Sequence, residues 1–296
     1  MKHTRDRTPR EPADARQTVN EGVESLTDAH YWDRTWAGRA IPEPLDSRSR
    51  GLNATVPRRW HRFFSQLFRS LEIRAGDRLL EAGCGGSVFL PYFVREHGLA
   101  AEGLDNSPEG CELSGAIARR CGFHTPIHFS DVLHPDASLL GRYRAVFSLG
   151  LAEHFTPTTS IISALSAFLQ PSGWLITVVP NMHGIVGMLQ KLVDPAIYDV
   201  HVPLSPAELA EAHRSCGLSV LSAQHLMTAN FSVVNFSGPG ARLRPGIGLR
   251  LASWTSKLVW TLERAGIPEL PNGWTSPYVV VVAQRTITAG PRGAMQ

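Results

Sequence analysis

The stretch Leu79-Leu80-Glu81-Ala82-Gly83-Cys84-Gly85-Gly86-Ser87 decides the fold. Apolar residues lead to an acid and a glycine loop, and a second apolar run follows the loop. This pattern predicts a buried strand, then a turn into a helix. Glycine suits such a loop because it tolerates positive φ and lets the backbone approach a ligand. A dinucleotide-binding loop has the pattern Gly-x-Gly-x-x-Gly, but Val88 stands at the third glycine position. We therefore expect the loop to bind a nucleoside and not a pyrophosphate.

The chain after Arg78 alternates between predicted strands and helices. Apolar runs predict strands at 78–82, 101–105, 127–129, 145–149 and 174–179, and helical periodicity predicts helices at 89–97, 108–121 and 161–169. This alternation is typical of a doubly wound parallel sheet with helices on both faces. A helix at 206–216 and a strand at 218–225 continue the pattern. The apolar run 278–284 predicts a last strand that is buried on both faces.

Acidic side chains fall at the ends of successive predicted strands. Glu81, Asp105 and Asp131 each end or follow a strand, and the segment 148–155 spans the end of the fourth strand. Parallel strands have their carboxyl ends at one edge of the sheet, where ligands bind. We therefore expect these residues to meet in one site. Asp105 follows the glycine loop at the distance where an acid accepts hydrogen bonds from ribose hydroxyls.

Composition indicates a globular protein. The chain has 296 residues, of which 43% are hydrophobic and 19% charged, and its net charge of +3 is too small to indicate a nucleic-acid partner. The four cysteines show neither metal-ligand spacing nor a paired framework, so we expect a reducing, cytoplasmic location and no metal. No signal peptide is visible, and the longest apolar run is too short for stable membrane insertion.

The chain divides into a core and additions to it. Residues 1–20 are predicted to be a disordered tail, 21–75 an N-terminal helical lid, and 288–296 a second tail. The core, 76–287, carries predicted lid insertions at about 181–204 and 227–277, because long excursions from a compact sheet are usually functional. In the N-terminal lid, aromatic residues recur at helical spacing around Tyr31 and again from Trp60 to Leu71. They fit either packing or a cover over the ligand.

Five segments carry a further pattern in a fixed order. They are Glu81-Ala82-Gly83-Cys84-Gly85-Gly86-Ser87, Asp105, Asp131-Val132, Ser148-Leu149-Gly150-Leu151-Ala152-Glu153-His154-Phe155, and Leu169-Gln170-Pro171-Ser172-Gly173-Trp174-Leu175. Together they resemble the class I S-adenosylmethionine-dependent methyltransferases, in particular their small-molecule branch, over half to two thirds of the chain. Ser87 replaces the last glycine of that family's first motif. The resemblance implies a Rossmann-like fold: a seven-stranded, mostly parallel sheet with an antiparallel last strand and helical lid insertions.

The resemblance also implies a cofactor, S-adenosyl-L-methionine, which leaves as S-adenosyl-L-homocysteine. The residues expected to bind it are Glu81, Gly83, Cys84, Gly85, Asp105, Asn106, Asp131, Val132, Leu149 and Gly150. The glycine loop would place main-chain N–H groups and a helix N-terminus near the ligand's carboxylate, and Glu81 would orient its ammonium. Asp105 would bind the ribose, and Asp131 with Val132 the adenine. Glu81 as a cap and Asp105 as a turn residue are the structural alternatives.

His154 is the first candidate for a catalytic base, and His201 is a weaker one. An acceptor that carries a proton must lose it, and a nearby base accelerates that step by about 10²–10⁴. The alternative is that the Glu-His pair begins or caps the next helix. The residues expected to contact the acceptor are Tyr31, Trp36, Asn181, His183 and Tyr198.

The expected function is methyl transfer to an O, N or C atom of a small molecule, with a secondary metabolite as the suggested acceptor. Three alternatives are open: a non-methylating binder of the same cofactor, a methyltransferase for RNA or protein, and an NAD-dependent oxidoreductase, against which Val88 argues. A homodimer is also open. A predicted helix at 249–264 carries an apolar stripe of Leu251, Trp254, Leu258 and Leu262. We expect this helix to pack on its own domain, with a membrane surface or a second subunit as alternatives.

Overall fold

The computed structural model describes residues 22–236 and 245–286, so both predicted tails and residues 237–244 lie outside the described chain. Seven strands form the main sheet: β2 (Arg78–Ala82), β3 (Ala100–Asp105), β4 (Ile127–Phe129), β5 (Tyr143–Leu149), β7 (Leu169–Pro180), β8 (Leu218–Leu226) and β9 (Tyr278–Arg285). Their spatial order is β4-β3-β2-β5-β7-β9-β8. Only β9 runs antiparallel to its neighbours, β7 and β8. The predicted fold class is confirmed.

Two short strands form a separate antiparallel pair, β1 (Glu24–Ser25) with β6 (Phe155–Thr156). This pair ties the start of the described chain to the segment that follows β5. The helices are α1 (Ala29–Trp36), α2 (Thr55–Ser70), α3 (Phe89–His97), α4 (Pro108–Arg120), α5 (Thr158–Ala167), α6 (Ile185–Val193), α7 (Pro195–Asp199), α8 (Pro206–Ser215) and α9 (Pro245–Arg264). Helices α6 and α7 lie in the first predicted lid.

The sheet is covered on both faces, which explains its apolar strands. One apolar cluster joins the sheet to α5 and α8 through Leu165 and Leu209. The other joins it to α2 and α3 through Trp60, Phe64 and Phe93. Phe64 is fully buried, and it contacts several aromatic rings at centroid distances near 5 Å. The aromatic residues of α2 therefore serve mainly as core, as the packing alternative predicts.

Strand β7 begins at Leu169, earlier than the predicted 174, and the predicted helix 161–169 ends at Ala167. The reason lies in the pairing of β7 with β5. Leu169 pairs with Tyr143, the register shifts before Ala145, and Ser172 adopts a φ of 59° between the two registers. The turn residues at this point lie inside the strand and do not begin it. The sequence pattern therefore assigns Leu169 to the preceding helix, although it belongs to β7.

Helix α9 packs on its own domain, as expected, but not through its apolar stripe. Leu251, Trp254, Leu258 and Leu262 are between 47% and 76% exposed. The opposite face is the packed one: Ser256 accepts a hydrogen bond from the N–H of Phe231, and the Trp260 indole donates to the carbonyl of Ala229. Ser256 and Trp260 thus hold this face of the helix against the domain. Within 22–236 and 245–286, no helix is both long and apolar enough to cross a membrane.

The carboxyl ends of four parallel strands meet at one edge of the sheet. Ala82 of β2 pairs with Leu104 of β3 and with Ser148 of β5, and Asp105 pairs with Phe129 of β4. The acidic residues that follow these strands therefore face a common space, as the strand pattern predicts.

Candidate active site

A cavity of about 310 Å³ lies at this edge of the sheet. Seven of the residues expected in the site line it: Trp36, Gly83, Asp105, Asn106, Asp131, Val132 and His154. Its volume falls at the lower end of the range for small-molecule sites. The sheet edge thus brings the predicted ribose, adenine and catalytic residues to one cavity.

The glycine loop between β2 and α3 is shaped by its serine as well as its glycines. Gly83 and Gly86 have φ of 73° and 63°, which only glycine adopts readily. The Ser87 hydroxyl donates to Glu81 at 2.6 Å and accepts from the N–H groups of Phe89 and Leu90. Ser87 therefore satisfies the first two N–H groups of α3 and holds Glu81, which explains why a serine suits the last glycine position. Burial raises the pKa of Glu81 to about 8.

Asp105 connects the glycine loop to the next strand end. Its two carboxylate oxygens accept from the N–H of Gly85 at 2.7 Å and from the N–H of Ser107 at 2.9 Å. Each oxygen can accept further bonds, and Asp105 also lines the cavity. Burial raises the pKa of this carboxyl, and the main-chain hydrogen bonds oppose that rise. The geometry is compatible with both the turn role and the ribose role that the sequence suggests.

Asp131 lies on the more open side of the cavity, and its side chain is partly exposed. It accepts from the N–H of Leu133 at 2.9 Å and contacts the Nδ1 of His134 at 3.0 Å. Val132 is buried in the main core cluster and also lines the cavity. An acid beside an apolar wall suits the amino edge and the face of an adenine.

Helix α1 covers the glycine loop. An ideal Cβ added to Gly85 would lie 2.4 Å from the Trp36 indole nitrogen, so only glycine allows this contact. The Ser107 hydroxyl donates to Asp33 at 2.6 Å, and Trp32 lines the cavity beside Trp36. Tyr31 contacts Trp32 edge to face but does not line the cavity. The helical spacing of the aromatic residues predicts their place in this cover, but Asp33 belongs to no motif that would have identified it.

His154 and His201 lie together, with ring centroids 4.5 Å apart. The Nδ1 of His154 donates to the carbonyl of Val200 at 2.7 Å, and the Nδ1 of His201 donates to the carbonyl of Ile197. Trp32 contacts His154 edge to face at 5.1 Å. Burial lowers the pKa of His154 to about 3 and also lowers that of His201. Both rings are therefore neutral near pH 7.

Glu153 completes this cluster. Its Oε1 lies 3.9 Å from the Nε2 of His154, and burial raises the pKa of its carboxyl to about 8. The side chain is only 1% exposed. Sequence reasoning treats Glu153 as the start of a helix, because the pattern does not show that His201 returns to the same place.

A second cavity of about 600 Å³ lies on the other side of the glycine loop. Val88, Phe89 and Leu149 line it, together with Trp60 of α2 and Tyr278 of β9. Leu149 is therefore near the loop but not in the first cavity. Gly150, with a φ of 72°, follows it at the end of β5. Sequence reasoning misses this cavity because its walls come from four separate segments.

The remaining predicted acceptor contacts do not line the first cavity. The Asn181 amide donates to the carbonyls of Gly273 and Ser276, which fixes the loop before β9. His183 lies on the surface, 3.4 Å from Glu208. The Tyr198 ring lies 5.3 Å from the ammonium of Lys191. Cys84 and Glu81 are buried beneath the glycine loop.

Comparison with known proteins places this architecture in a family. Residues 52–223, more than half of the chain, match the family model described as a methyltransferase domain. The chain is 24% identical over 202 residues to a ubiquinone biosynthesis O-methyltransferase of Bordetella avium (strain 197N), covering 66% of this chain and 77% of that protein.

Two solved structures have a similar fold. Geranyl diphosphate C-methyltransferase from Streptomyces coelicolor A3(2), in complex with Mg²⁺, geranyl diphosphate and S-adenosyl-L-homocysteine, matches with a TM-score of 0.55 and 18% identity, covering 87% of this chain and 98% of that one. The [4+2]-cyclase SpnF matches with a TM-score of 0.51 and 16% identity, covering 82% and 84%.

The chain belongs to the methyltransferase-domain family. It is a class I S-adenosylmethionine-dependent methyltransferase, and S-adenosyl-L-methionine is its cofactor, as the motifs predict. The cavity residues fit this group. A buried carboxylate at Asp105 has acceptor capacity beyond its two loop bonds, and an acid and an apolar wall lie at the next strand end.

Proposed function

We propose that this enzyme methylates an O, N or C atom of a small molecule, with the adenosine part of the donor in the first cavity. The observation that carries the proposal is that Gly83, Asp105, Asp131 and His154 line one cavity. In this arrangement Asp105 binds the ribose, and Asp131 with Val132 binds the adenine. The glycine loop and the buried Glu81 bind the amino-acid end.

When bound, S-adenosyl-L-methionine supplies an electrophilic methyl group on a sulfonium. The protein's contribution is to align the acceptor and exclude water, which can supply several kcal/mol. Trp32 and Trp36 of α1 form one wall of the cavity.

His154 takes the proton of an acceptor hydroxyl, acid or amine in this proposal, and His201 supports it. The Nε2 of His154 keeps its lone pair because Nδ1 is committed to Val200. The resulting imidazolium would be stabilised by Glu153, whose Oε1 lies 3.9 Å away, once that carboxyl is ionised, which its raised pKa of about 8 favours at mildly alkaline pH. This support matters because burial alone makes His154 a weak base.

The second cavity suits the apolar body of an acceptor, and in this proposal the acceptor's reacting group extends from there to His154 in the first cavity. The walls of the second cavity at Trp60, Phe89 and Tyr278 are aromatic, and this cavity begins beside Leu149 at the end of β5. An apolar small molecule, such as a secondary metabolite, fits such walls. One relative is named as an O-methyltransferase of ubiquinone biosynthesis and one structural neighbour as a geranyl diphosphate C-methyltransferase, which supports a small acceptor of this class. The acceptor contacts predicted at Tyr31, Asn181, His183 and Tyr198 stay predictions.

A non-methylating binder of the same cofactor is the second candidate. The observation in its favour is the likeness to a protein named as a [4+2]-cyclase.

A cytoplasmic location also belongs to the proposal, and it is supported by four cysteines that are all free. The homodimer stays a prediction, which analytical ultracentrifugation would test.

Incubation with methyl-labelled S-adenosyl-L-methionine and a small-molecule extract tests the proposal. We expect the label to appear in an apolar small molecule with wild-type protein and not with Asp105→Ala. If the protein binds the donor but no small molecule is labelled, the non-methylating candidate replaces the proposed function. If Asp105→Ala binds the donor with unchanged affinity, the assignment of the donor site is wrong.

A further inference from the structure

Three buried side chains with metal-binding atoms meet beside the first cavity. Glu153 and His154 belong to the short 3-10 helix that follows β5, whereas His201 follows α7. The N–H of Val202 donates to the carbonyl of Glu153 at 2.7 Å, which ties the two segments together. One nitrogen from each imidazole and one carboxylate oxygen all lie within 4.8 Å of one another.

The main chain sets the tautomer of both imidazoles. Each Nδ1 donates to a carbonyl, that of Val200 for His154 and that of Ile197 for His201. Each Nε2 therefore keeps a lone pair. Carbonyl groups that bind the outer nitrogen of a histidine are a recurrent feature of protein metal sites, because they orient the ring and raise its basicity.

Glu153 has an unsatisfied oxygen in this cluster. Its Oε2 is buried and has no hydrogen-bond partner among the described residues, and the side chain is 1% exposed. A buried polar atom without a partner costs about 1–3 kcal/mol. Two facts thus coincide at one point: two imidazole nitrogens whose lone pairs are available, and a buried carboxylate oxygen without a partner among the described residues.

We propose that Glu153, His154 and His201 bind a divalent transition-metal ion of the zinc class. Two imidazoles and one carboxylate suit such an ion, whereas Mg²⁺ and Ca²⁺ prefer oxygen ligands. Zinc bonds of about 2.1 Å place tetrahedral ligand atoms about 3.4 Å apart, so the triangle must contract by at most about 1.4 Å. Cysteine spacing predicts no metal in this chain, but it carries no signal for ligands brought together by folding.

Three protein ligands leave one position of a tetrahedral ion open. Because His154 lines the first cavity, a ligand from that cavity can take the open position. This step rests on the proposed function: an acceptor oxygen bound to the ion would release its proton to solvent water near neutral pH, as metal-bound water does. The Nε2 of His154 then serves the ion and not the proton, and the ion promotes the deprotonation of the acceptor.

Titration with Co²⁺ tests the site directly. Tag-free protein is stripped with a chelator and titrated, and the visible absorption of four-coordinate Co²⁺ is recorded. We expect one equivalent to bind, Zn²⁺ to displace it, and Mg²⁺ to leave the spectrum unchanged. His201→Gln and the nearly isosteric Glu153→Gln should each weaken binding by at least about 100-fold, more than the loss of a partner that only orients a ligand usually costs.

The exposed His124 on the loop before β4 provides the matched control. His124→Gln should bind Co²⁺ like the wild type, and circular dichroism verifies that all three variants are folded. The proposal is overturned if the stripped wild type binds no Co²⁺, or if folded His201→Gln and Glu153→Gln both bind it unchanged. Donor binding, measured separately by calorimetry on the stripped protein, reports on the proposed function. A protein that binds the donor but not the metal refutes only the metal site.

Discussion

Replacement of Asp105 by asparagine tests the donor site most sharply. The N–H groups of Gly85 and Ser107 each donate to one oxygen of this carboxylate. An amide has a single accepting oxygen, so in Asp105→Asn one of these N–H groups faces an NH₂ group. The variant should lose about 1–3 kcal/mol of unfolding free energy, which is the typical cost of an unsatisfied buried group.

The loss of donor affinity should be larger than any effect through stability alone. A hydrogen bond to a charged group contributes about 1.5–3 kcal/mol. In the variant, one ribose hydroxyl loses its charged acceptor and the other keeps at most a neutral one. The expected loss is about 2–4 kcal/mol, or about 30- to 1,000-fold in the dissociation constant.

Calorimetry with S-adenosyl-L-homocysteine measures this loss, and a thermal-shift assay provides an independent readout. At a ligand concentration 100 times the wild-type dissociation constant, the wild type gains about 2.7 kcal/mol of stability. A variant that binds about 100-fold more weakly gains only about 0.4 kcal/mol under the same conditions.

Asp136→Asn is the matched control for this experiment. Asp136 accepts from the N–H of Ser138 at 2.8 Å, the same local contact that Asp105 makes with Ser107, but it does not line the cavity. We expect the control to bind the product normally. A folded Asp105→Asn protein whose affinity lies within threefold of the wild type would refute the ribose role and leave only the turn role.

Three further predictions concern the fold and the cover of the site. Burial alone would raise the pKa of Glu102, but hydrogen bonds from His128 and Tyr143 and the ion pair with Arg78 lower it. Glu102→Gln should therefore cost about 1–3 kcal/mol at pH 7, and in urea titrations this difference should shrink as the pH falls below 4.5. Burial lowers the pKa of His213 from 6.5 to about 4, so the unfolded chain takes up the proton first and stability falls as the pH drops through this range. The variant His213→Gln lacks this titration, so its free energy of unfolding should change by about 3 kcal/mol less over this pH range than that of the wild type. If urea denaturation gives the variant the same pH profile as the wild type, the ring of His213 is not buried in its neutral form. Gly85→Ala should displace α1 because its Cβ would meet the Trp36 indole at 2.4 Å. Trp36→Ala should relieve this clash. The free energies of unfolding of the two single variants and the double variant form a double-mutant cycle, and if the losses of the single variants simply add in the double variant, the contact is disproved.

Much of the fold follows from the sequence because its signals are local. The glycine loop, the continuous apolar strands and the acids at strand ends each reflect a requirement within a few residues. Parallel strands then bring those ends together without further information, so Asp105 and Asp131 could be assigned to one edge. The early start of β7 at Leu169 was missed because a turn at Ser172 lies inside the strand.

What the sequence does not show is which surfaces meet. The stripe on α9 is correctly recognised as apolar, but periodicity does not say whether a neighbour covers it, and Trp254 is exposed. His201 belongs with Glu153 and His154 only because two hydrogen bonds join distant segments, one from the N–H of Val202 to Glu153 and one from the His154 ring to the carbonyl of Val200. The second cavity likewise depends on how α2 packs against the start of α3.

Helix α1 joins the two halves of the candidate site. Trp36 lies on the glycine loop, Asp33 accepts from Ser107 beside Asp105, and Trp32 contacts His154. A displacement of this one helix would therefore change the donor cavity and the histidine cluster together. The family match begins at residue 52, after α1 ends at Trp36. The shared domain thus supplies the sheet edge and its acids, whereas the cover that lines the cavity and contacts His154 comes from a segment outside the match. Differences in acceptor between this enzyme and its relatives should accordingly depend on such covering segments more than on the sheet edge.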